Sequence, residues 1–467
     1  MKDARRPPNE PVTDDLRIHA AGVPGPNPSG EFVLYWMQGV AMRSTGNPAL
    51  TFAIEQANLR RVPVLVYQGL RSDYPWASDR IHTFILEAAR DLAESFRARG
   101  IQYAFYLETA AGRGAESPLV ALARRAVLVV TEFFPTFIQP RQLKQLRRRI
   151  ATPVVAVDAT TLVPLRYHQR EYVTARSIRP VLMEALPHYL HPLPDRDPLI
   201  RRRVELPFDP LDHGSPIAEL VGRCAIDHSV PPSPVIRGGE RAARARLEDF
   251  VKHGLARYDQ RGDPNVDATS RLSPHLHFGT IAIQDVLLLA REAGPADQFA
   301  KFLDEALVWR ELAHNLCYLN RRHRTLEAVP AWAQAELDDH GADPRPALYD
   351  DDTLETARTH DPLWNAAQRS LLRDGELHNY LRMLWGKSVL LWTTSAAEAL
   401  RVLEHLNHKY ALDGRDPSSY GGILWCFGRY DRPFYRRPIF GTVRYMSLGA
   451  AAKKFSVPAY LARYPIG

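Results

Sequence analysis

At 467 residues the chain is too long for one ordinary domain, and its 45% apolar content suits well-formed globular cores. No apolar run reaches membrane-spanning length, residues 1–30 lack a signal peptide's apolar stretch, and three scattered cysteines without a CxxC pair or HExxH run argue against disulfides and zinc. The net charge of +7 suits a polyanionic partner, although an Arg-rich, Lys-poor composition also follows from GC-rich coding; a soluble, cytoplasmic protein without metal is expected.

Residues 1–30 read as a flexible arm ending in the Pro/Gly-rich run GVPGPNPSG. Apolar strands then alternate with helical segments. Strands are expected at 32–37, 62–70, 103–107, 126–131 and 153–157. Helices are expected at 47–58, 78–98, near Pro118, and at 140–150, the last strongly basic. Continuous apolar strands between helices predict a Rossmann-like, doubly wound parallel sheet over 31–162. No G-x-G-x-x-G or P-loop follows a strand, which disfavours a dinucleotide bound in the usual Rossmann way. Residues 163–239, rich in Pro and Arg without periodicity, read as an interdomain linker. From 240 to 467 helical periodicity dominates, at 241–253, 282–293, 298–319, 376–393 and 396–408, predicting an all-helical C-terminal domain.

Four stretches of that half carry chemistry. DATSRLSPHLHFG (267–279) sets Thr269, Ser270, Arg271, Leu272 and Ser273 before a Pro at a helix start, which suits either a phosphate or a capped surface helix. In FLDEALVWRELAHN, Glu305 and Trp309 share a helix face, so the carboxyl and indole either hold a planar base or line a half-buried helix. LNHKYALDGRDPSSYGGILW makes a tight loop around Asp413. After Trp425, aromatic rings interleave with Arg429, Arg432, Arg436 and Arg437, as in a nucleic-acid grip or a solvated loop with rings tucked inward. Finally, Trp364, Trp385 and Trp392 sit in one short segment. Trp385 and Trp392 share a helix face at a rise of roughly 10 Å, a spacing that serves either electron hopping or core packing.

Together, TSRLSP, WRE, LHNYLRM and LDGRDP, in that order, resemble the photolyase/cryptochrome flavoproteins. THDPLWNAAQ, LDGRDP and RPIFGTVRYM are most similar to the class II cyclobutane pyrimidine dimer photolyases. The resemblance implies a monomeric, blue-light-driven DNA-repair enzyme with reduced FAD in the helical domain and UV-damaged DNA containing pyrimidine dimers as its partner. It implies that Tyr258 and the segment from Thr269 to Ser273 hold FAD phosphates. Asn379 and Arg382 then line the flavin, Asp413 contacts its sugar or adenine, and Asn407 faces flavin N5. Glu305 hydrogen-bonds the dimer, and Trp309, Met383 and Trp425 pack around the flipped bases. Arg429, Arg432, Arg436 and Arg437 grip phosphates. Trp385, Trp364 and Trp392 relay electrons, in that order, from the flavin to the surface. A deazaflavin antenna in the α/β domain is implied too, although MQGVAMRSTGN (37–47) departs from the usual Arg-Asp-x-Arg pattern and Phe434 stands where a Trp is usual. A cryptochrome-type light sensor without repair activity is the alternative, and a DNA-binding protein with a decayed flavin site the third reading.

Overall fold

A computed structural model describes residues 13–20, 25–112 and 117–466. The first half is built on one six-stranded sheet: β1 (Ile18–His19), β2 (Phe32–Met37), β3 (Val64–Leu70), β4 (Gln102–Leu107), β5 (Ala126–Glu132) and β6 (Val154–Val157). The spatial order is β1-β6-β5-β2-β3-β4. All pairs are parallel except β1 with β6. β2 and β5 are buried along their whole length because helices cover both faces of the sheet, which is why these strands are continuously apolar. α1 (Pro48–Arg60) and α2 (Asp79–Ala98) pack on one face, α3 (Pro118–Arg125) and α4 (Gln139–Arg149) on the other.

α5 (Ala175–Tyr189) and α6 (Ile217–Gly222) follow, then α7 (Glu240–Asp249), which runs on through a π turn and a 3-10 turn to Gln260. The rest is helical: α8 (Ser273–His277), α9 (Ile283–Ala293), α10 (Ala296–Leu303), α11 (Arg310–Leu319), α12 (Ala331–Asp339) and α13 (Asp351–Glu355). α14 (Pro362–Asp374), α15 (Asn379–Trp392), α16 (Ala396–Tyr410), α17 (Pro417–Trp425) and α18 (Val457–Arg463) complete it. The expected α/β half followed by a helical half is therefore the observed fold.

Two sequence expectations need correction. Within the expected arm, residues 13–20 are packed. β1 pairs with β6, and the buried Arg17 guanidinium donates to the carbonyls of Asp158, Thr161 and Leu162. The rest of the expected arm up to Pro24, apart from those residues, lies outside the described residues. The expected linker holds α5 and α6; Pro180 and Pro187 inside α5 had masked its periodicity.

The two halves are joined by buried arginines that donate to backbone carbonyls. Arg43, after β2, reaches the Ala159 and Gly279 carbonyls. Arg80, on α2, reaches Leu371 and Leu372 at the end of α14, and Tyr410 at the end of α16. A cation at helix C-termini also complements their dipoles.

Candidate functional site

A cavity of about 600 Å³ opens in the helical half. One wall is the irregular chain before α8. Pro274 starts that helix, and Arg271 takes a left-handed φ of 52° just ahead of it. This bend brings Thr269, Ser270, Arg271, Leu272 and Ser273 to the cavity, with Tyr258 beside them. Arg271 is anchored by Glu376 at 2.6 Å.

The second wall comes from a π turn, Asp304–Trp309, between α10 and α11. The wider turn shifts the helix phase, and both Glu305 and Trp309 line the cavity. Burial pushes the Glu305 carboxyl up from its ordinary pKa, against the pull of Arg261 at 3.2 Å. Trp309 stacks on Trp425, at the end of α17, with centroids 4.5 Å apart and planes 16° from parallel. The Trp425 indole N–H donates to Asp431 at 2.8 Å. Behind it, the fully buried Lys387 donates to the Cys426 carbonyl at 2.7 Å.

The third wall is the start of α15 and the loop before α17. Asn379, Arg382, Met383 and Asp413 all line the cavity. Arg382 donates to both Asp413 oxygens, at 2.9 and 3.1 Å. Its buried Nε and both shielded ring nitrogens of half-buried His378 have no hydrogen-bond partner. Burial keeps the His378 ring neutral, so it offers one donor and one acceptor, and unpaired polar atoms on a cavity wall mark a place for a polar ligand. Asp416, also on the wall, faces His277 at 3.3 Å. Burial works against its charge, but the His277 contact and nearby cationic groups hold its carboxyl well below the usual range.

The three tryptophans form a buried column. Trp385 and Trp364 stack with centroids 6.3 Å apart, and Trp364 meets Trp392 edge-on at 5.6 Å. Trp364 thus lies between the other two, and Trp385 is not among the residues lining the cavity. Trp392, however, is only 3% exposed, not at the surface. Tyr349 and His360 cover it at 5.5 and 5.3 Å.

Two further site expectations shift. Asn407 is not among the residues lining the cavity; its amide is buried 3.3 Å from the His408 ring. Arg429 is buried, donating to the Ala328 carbonyl and paired with Glu171, so it has no free guanidinium for a phosphate. Arg432, Arg436 and Arg437 are exposed, with Arg436 paired to Glu336 at 2.7 Å. Arg261, Glu376, His378, Asp416, Asp431 and Lys387 escaped the sequence reading. LHNYLRM and LDGRDP contain His378 and Asp416, and that proximity was the signal for them. Among the described residues, no group of three His, Cys, Asp or Glu is placed to hold a metal, and no helix is long and apolar enough to cross a membrane.

Comparison with known proteins places these features in context. Residues 33–198 match the DNA photolyase family. Over 442 residues the chain is 35% identical to a deoxyribodipyrimidine photo-lyase of Methanothermobacter thermautotrophicus, covering 94% of this chain and 95% of that protein. It is 33% identical over 439 residues to a deoxyribodipyrimidine photo-lyase of Potorous tridactylus, covering 91% and 80%. A bacterial class III photolyase from Agrobacterium tumefaciens shares the fold with a TM-score of 0.70 at 18% identity, covering 94% of this chain and 87% of that one. An archaeal photolyase from Sulfolobus tokodaii, solved with two FAD molecules, gives 0.65 at 16% identity, covering 93% and 90%.

Proposed function

The chain belongs to the DNA photolyase family, and we propose that it repairs cyclobutane pyrimidine dimers in the manner of a class II enzyme, with FAD in the cavity. The observation that carries this reading is the meeting, in one cavity, of an anion-suited segment, the Arg382–Asp413 pair and the stacked Trp309–Trp425 rings. The unpaired Arg382 Nε and His378 nitrogens fit a large polar cofactor.

When bound and reduced, FAD supplies the light-driven electron that opens the cyclobutane ring. The chain's own residues do the rest. Thr269, Ser270, Arg271, Leu272 and Ser273 hold the phosphates beside Tyr258. Asn379, Arg382 and Asp413 orient the rings and sugar. A dimer inside a duplex must be flipped out, and a poorly stacked lesion is cheap to extrude. Trp309, Trp425 and Met383 receive the flipped bases and exclude water. Glu305, with its raised pKa, offers a hydrogen bond to a base carbonyl where negative charge develops. Arg432, Arg436 and Arg437 meet the phosphate backbone. Trp385 (behind the cavity-lining Met383), Trp364 and Trp392 give charge a path outward, which ends at Tyr349 and His360 over Trp392.

A deazaflavin antenna belongs to the same proposal. Its place is at the C-terminal ends of the strands, where both amide atoms of Gln38 and the hydroxyl of Tyr74 are buried without partners. Glu305 and the Trp309–Trp425 stack favour repair over light sensing, since a sensor has no use for a lesion pocket. The deciding experiment is light-dependent repair of a dimer-containing oligonucleotide by the flavin-loaded protein. Photoreduction without repair would make it a sensor.

A further inference from the structure

In a parallel sheet each covering helix runs back against its strands, so helix C-termini gather where the strands begin. Here four such ends finish on arginine. They are Arg60 and Arg61 at α1, Arg97 and Arg99 at α2, Arg124 and Arg125 at α3, and Arg147, Arg148 and Arg149 at α4. Residues 199–205 lie along the same edge. The Leu199 amide donates to Asn58 at 2.8 Å, the Val204 amide to Gln102 at 2.7 Å, and Arg125 donates to the Glu205 carbonyl at 2.9 Å. This segment adds Arg201, Arg202 and Arg203, all exposed.

One cation per helix end answers the macrodipole. The edge holds more than that. Arg61, Arg97, Arg124, Arg148, Arg201, Arg202 and Arg203 are exposed and enter no ion pair among the described residues. Of the acids there, Glu31 is paired with Arg125 and also feels Arg202, Asp197 is paired with Arg99, and the exposed Glu205 lies beside Arg125, so the arginines outnumber the carboxylates.

We propose that this edge is a second docking surface, for the phosphate backbone of a further stretch of duplex DNA. The inference rests on the DNA reading above. The opposite ends of the strands meet the helical half, where Met42 bonds to Phe278 at 3.0 Å and Thr136 to Arg415 at 2.9 Å. Along the sheet, the edge at the starts of β3, β5 and β6 is thus about one strand length, roughly 20 Å, from those contacts. At the end of α2 it comes nearer to the helical half, where Arg241 of α7 pairs with Asp91 and Glu94. Guanidinium groups match phosphate oxygens bidentately, whatever the base sequence. The edge's exposed Leu59 and Leu199 are too few for membrane insertion, which needs a whole apolar helix face. A second contact of this kind would hold the enzyme on DNA between lesions.

The test uses flavin-loaded protein held on an immobilised dimer-containing duplex, to which a labelled undamaged duplex is added. The wild type should capture the second duplex, and capture should fall steeply between about 50 and 200 mM salt. The combined variant Arg124→Gln, Arg148→Gln, Arg202→Gln, Arg203→Gln should stay on the first duplex and capture less than about a tenth as much of the second. Should the combined variant fail to fold, Arg148→Gln alone and the pair Arg202→Gln, Arg203→Gln serve instead. Each should lower the salt slope for undamaged duplex by about 0.9 per lost phosphate contact. Full capture by the folded variant, or unchanged slopes, overturns the proposal. So does a wild type that holds the first duplex and captures only phosphatidylglycerol vesicles. Failure of the wild type to hold the first duplex counts against the lesion-binding reading instead.

Discussion

The indole N–H of Trp364 donates to the backbone carbonyl of Trp385 at 3.0 Å, while the two rings lie 9° from parallel. Each ring of this pair is fixed by a polar bond, because the Trp385 indole in turn donates to Gln368 at 2.9 Å. A buried indole N–H requires such a partner in any core, and here the two bonds also fix how the rings face each other. Two rings locked in stacking contact keep a constant electronic coupling. Trp385→Phe should therefore cut photoreduction of bound flavin by external reductant at least tenfold. Chemically reduced protein should still repair. Equal photoreduction rates in the variant and the wild type would return the column to a packing role.

Lys387 gives a second outcome. Its ammonium is fully buried with no carboxylate in ion-pair contact, and burial pulls its pKa down to about 8 against the more distant Asp431. It bonds the end of α17, from which Trp425 projects. Lys387→Met keeps the bulk but strands the Cys426 carbonyl, at a cost of about 1–3 kcal/mol. Damaged-duplex affinity should drop several-fold while flavin absorbance stays the same. Calorimetry and binding titration check this, and an unchanged lesion affinity would confine Lys387 to stability.

How much of this was legible in the sequence depended on range. Residues 32–37 could be read as a buried strand because six apolar side chains in a row have few other uses. The segment from Thr269 to Ser273 was legible because its polar groups are consecutive. Arg429 was misread because its partner, Glu171, lies 258 residues earlier, and no local pattern announces such a pair. The Glu305–Arg261 and Trp425–Asp431 bonds lie closer in sequence but depend on a π turn and a loop fold. β1 was missed because two residues carry no periodicity; Arg17, reaching three distant carbonyls, fixes that segment.

Stability should depend on pH through Glu311. Burial pushes this carboxyl up to about 8, with Arg310 opposing, and its Oε2 has no partner. The native state therefore binds a proton that the unfolded chain releases near 4.5. The contribution is full below that value and is lost as pH rises through about 8. Within that window stability falls by at most about 1.4 kcal/mol per pH unit. Glu132, raised to about 7, acts in the same direction over part of the range. The thermal midpoint should thus fall from pH 6 to 8.5, and Glu311→Gln should flatten the fall without removing it. Parallel curves for the two proteins would show that Glu311 is already ionised.

The last outcome concerns Glu305, the carboxyl assigned to the lesion. Its environment sets two forces against each other. Burial in the cavity wall favours the protonated form, and Arg261 at 3.2 Å favours the charged one. A protonated Glu305 can donate to a base carbonyl, and Arg261 can compensate as negative charge grows there. This contact matters only after charge reaches the lesion, so it should affect ring opening rather than flavin binding. Glu305→Ala should keep the flavin spectrum and damaged-duplex affinity within about twofold of wild type. Its repair rate per absorbed photon should drop roughly tenfold, equivalent to about 1.4 kcal/mol. Glu305→Gln, which retains a donor, should recover most of that loss. The Gln variant also lacks the titrating proton, so its repair should be flatter with pH than the wild type's. Repair by Glu305→Ala at the wild-type rate would remove Glu305 from the reaction and leave it as the partner of Arg261.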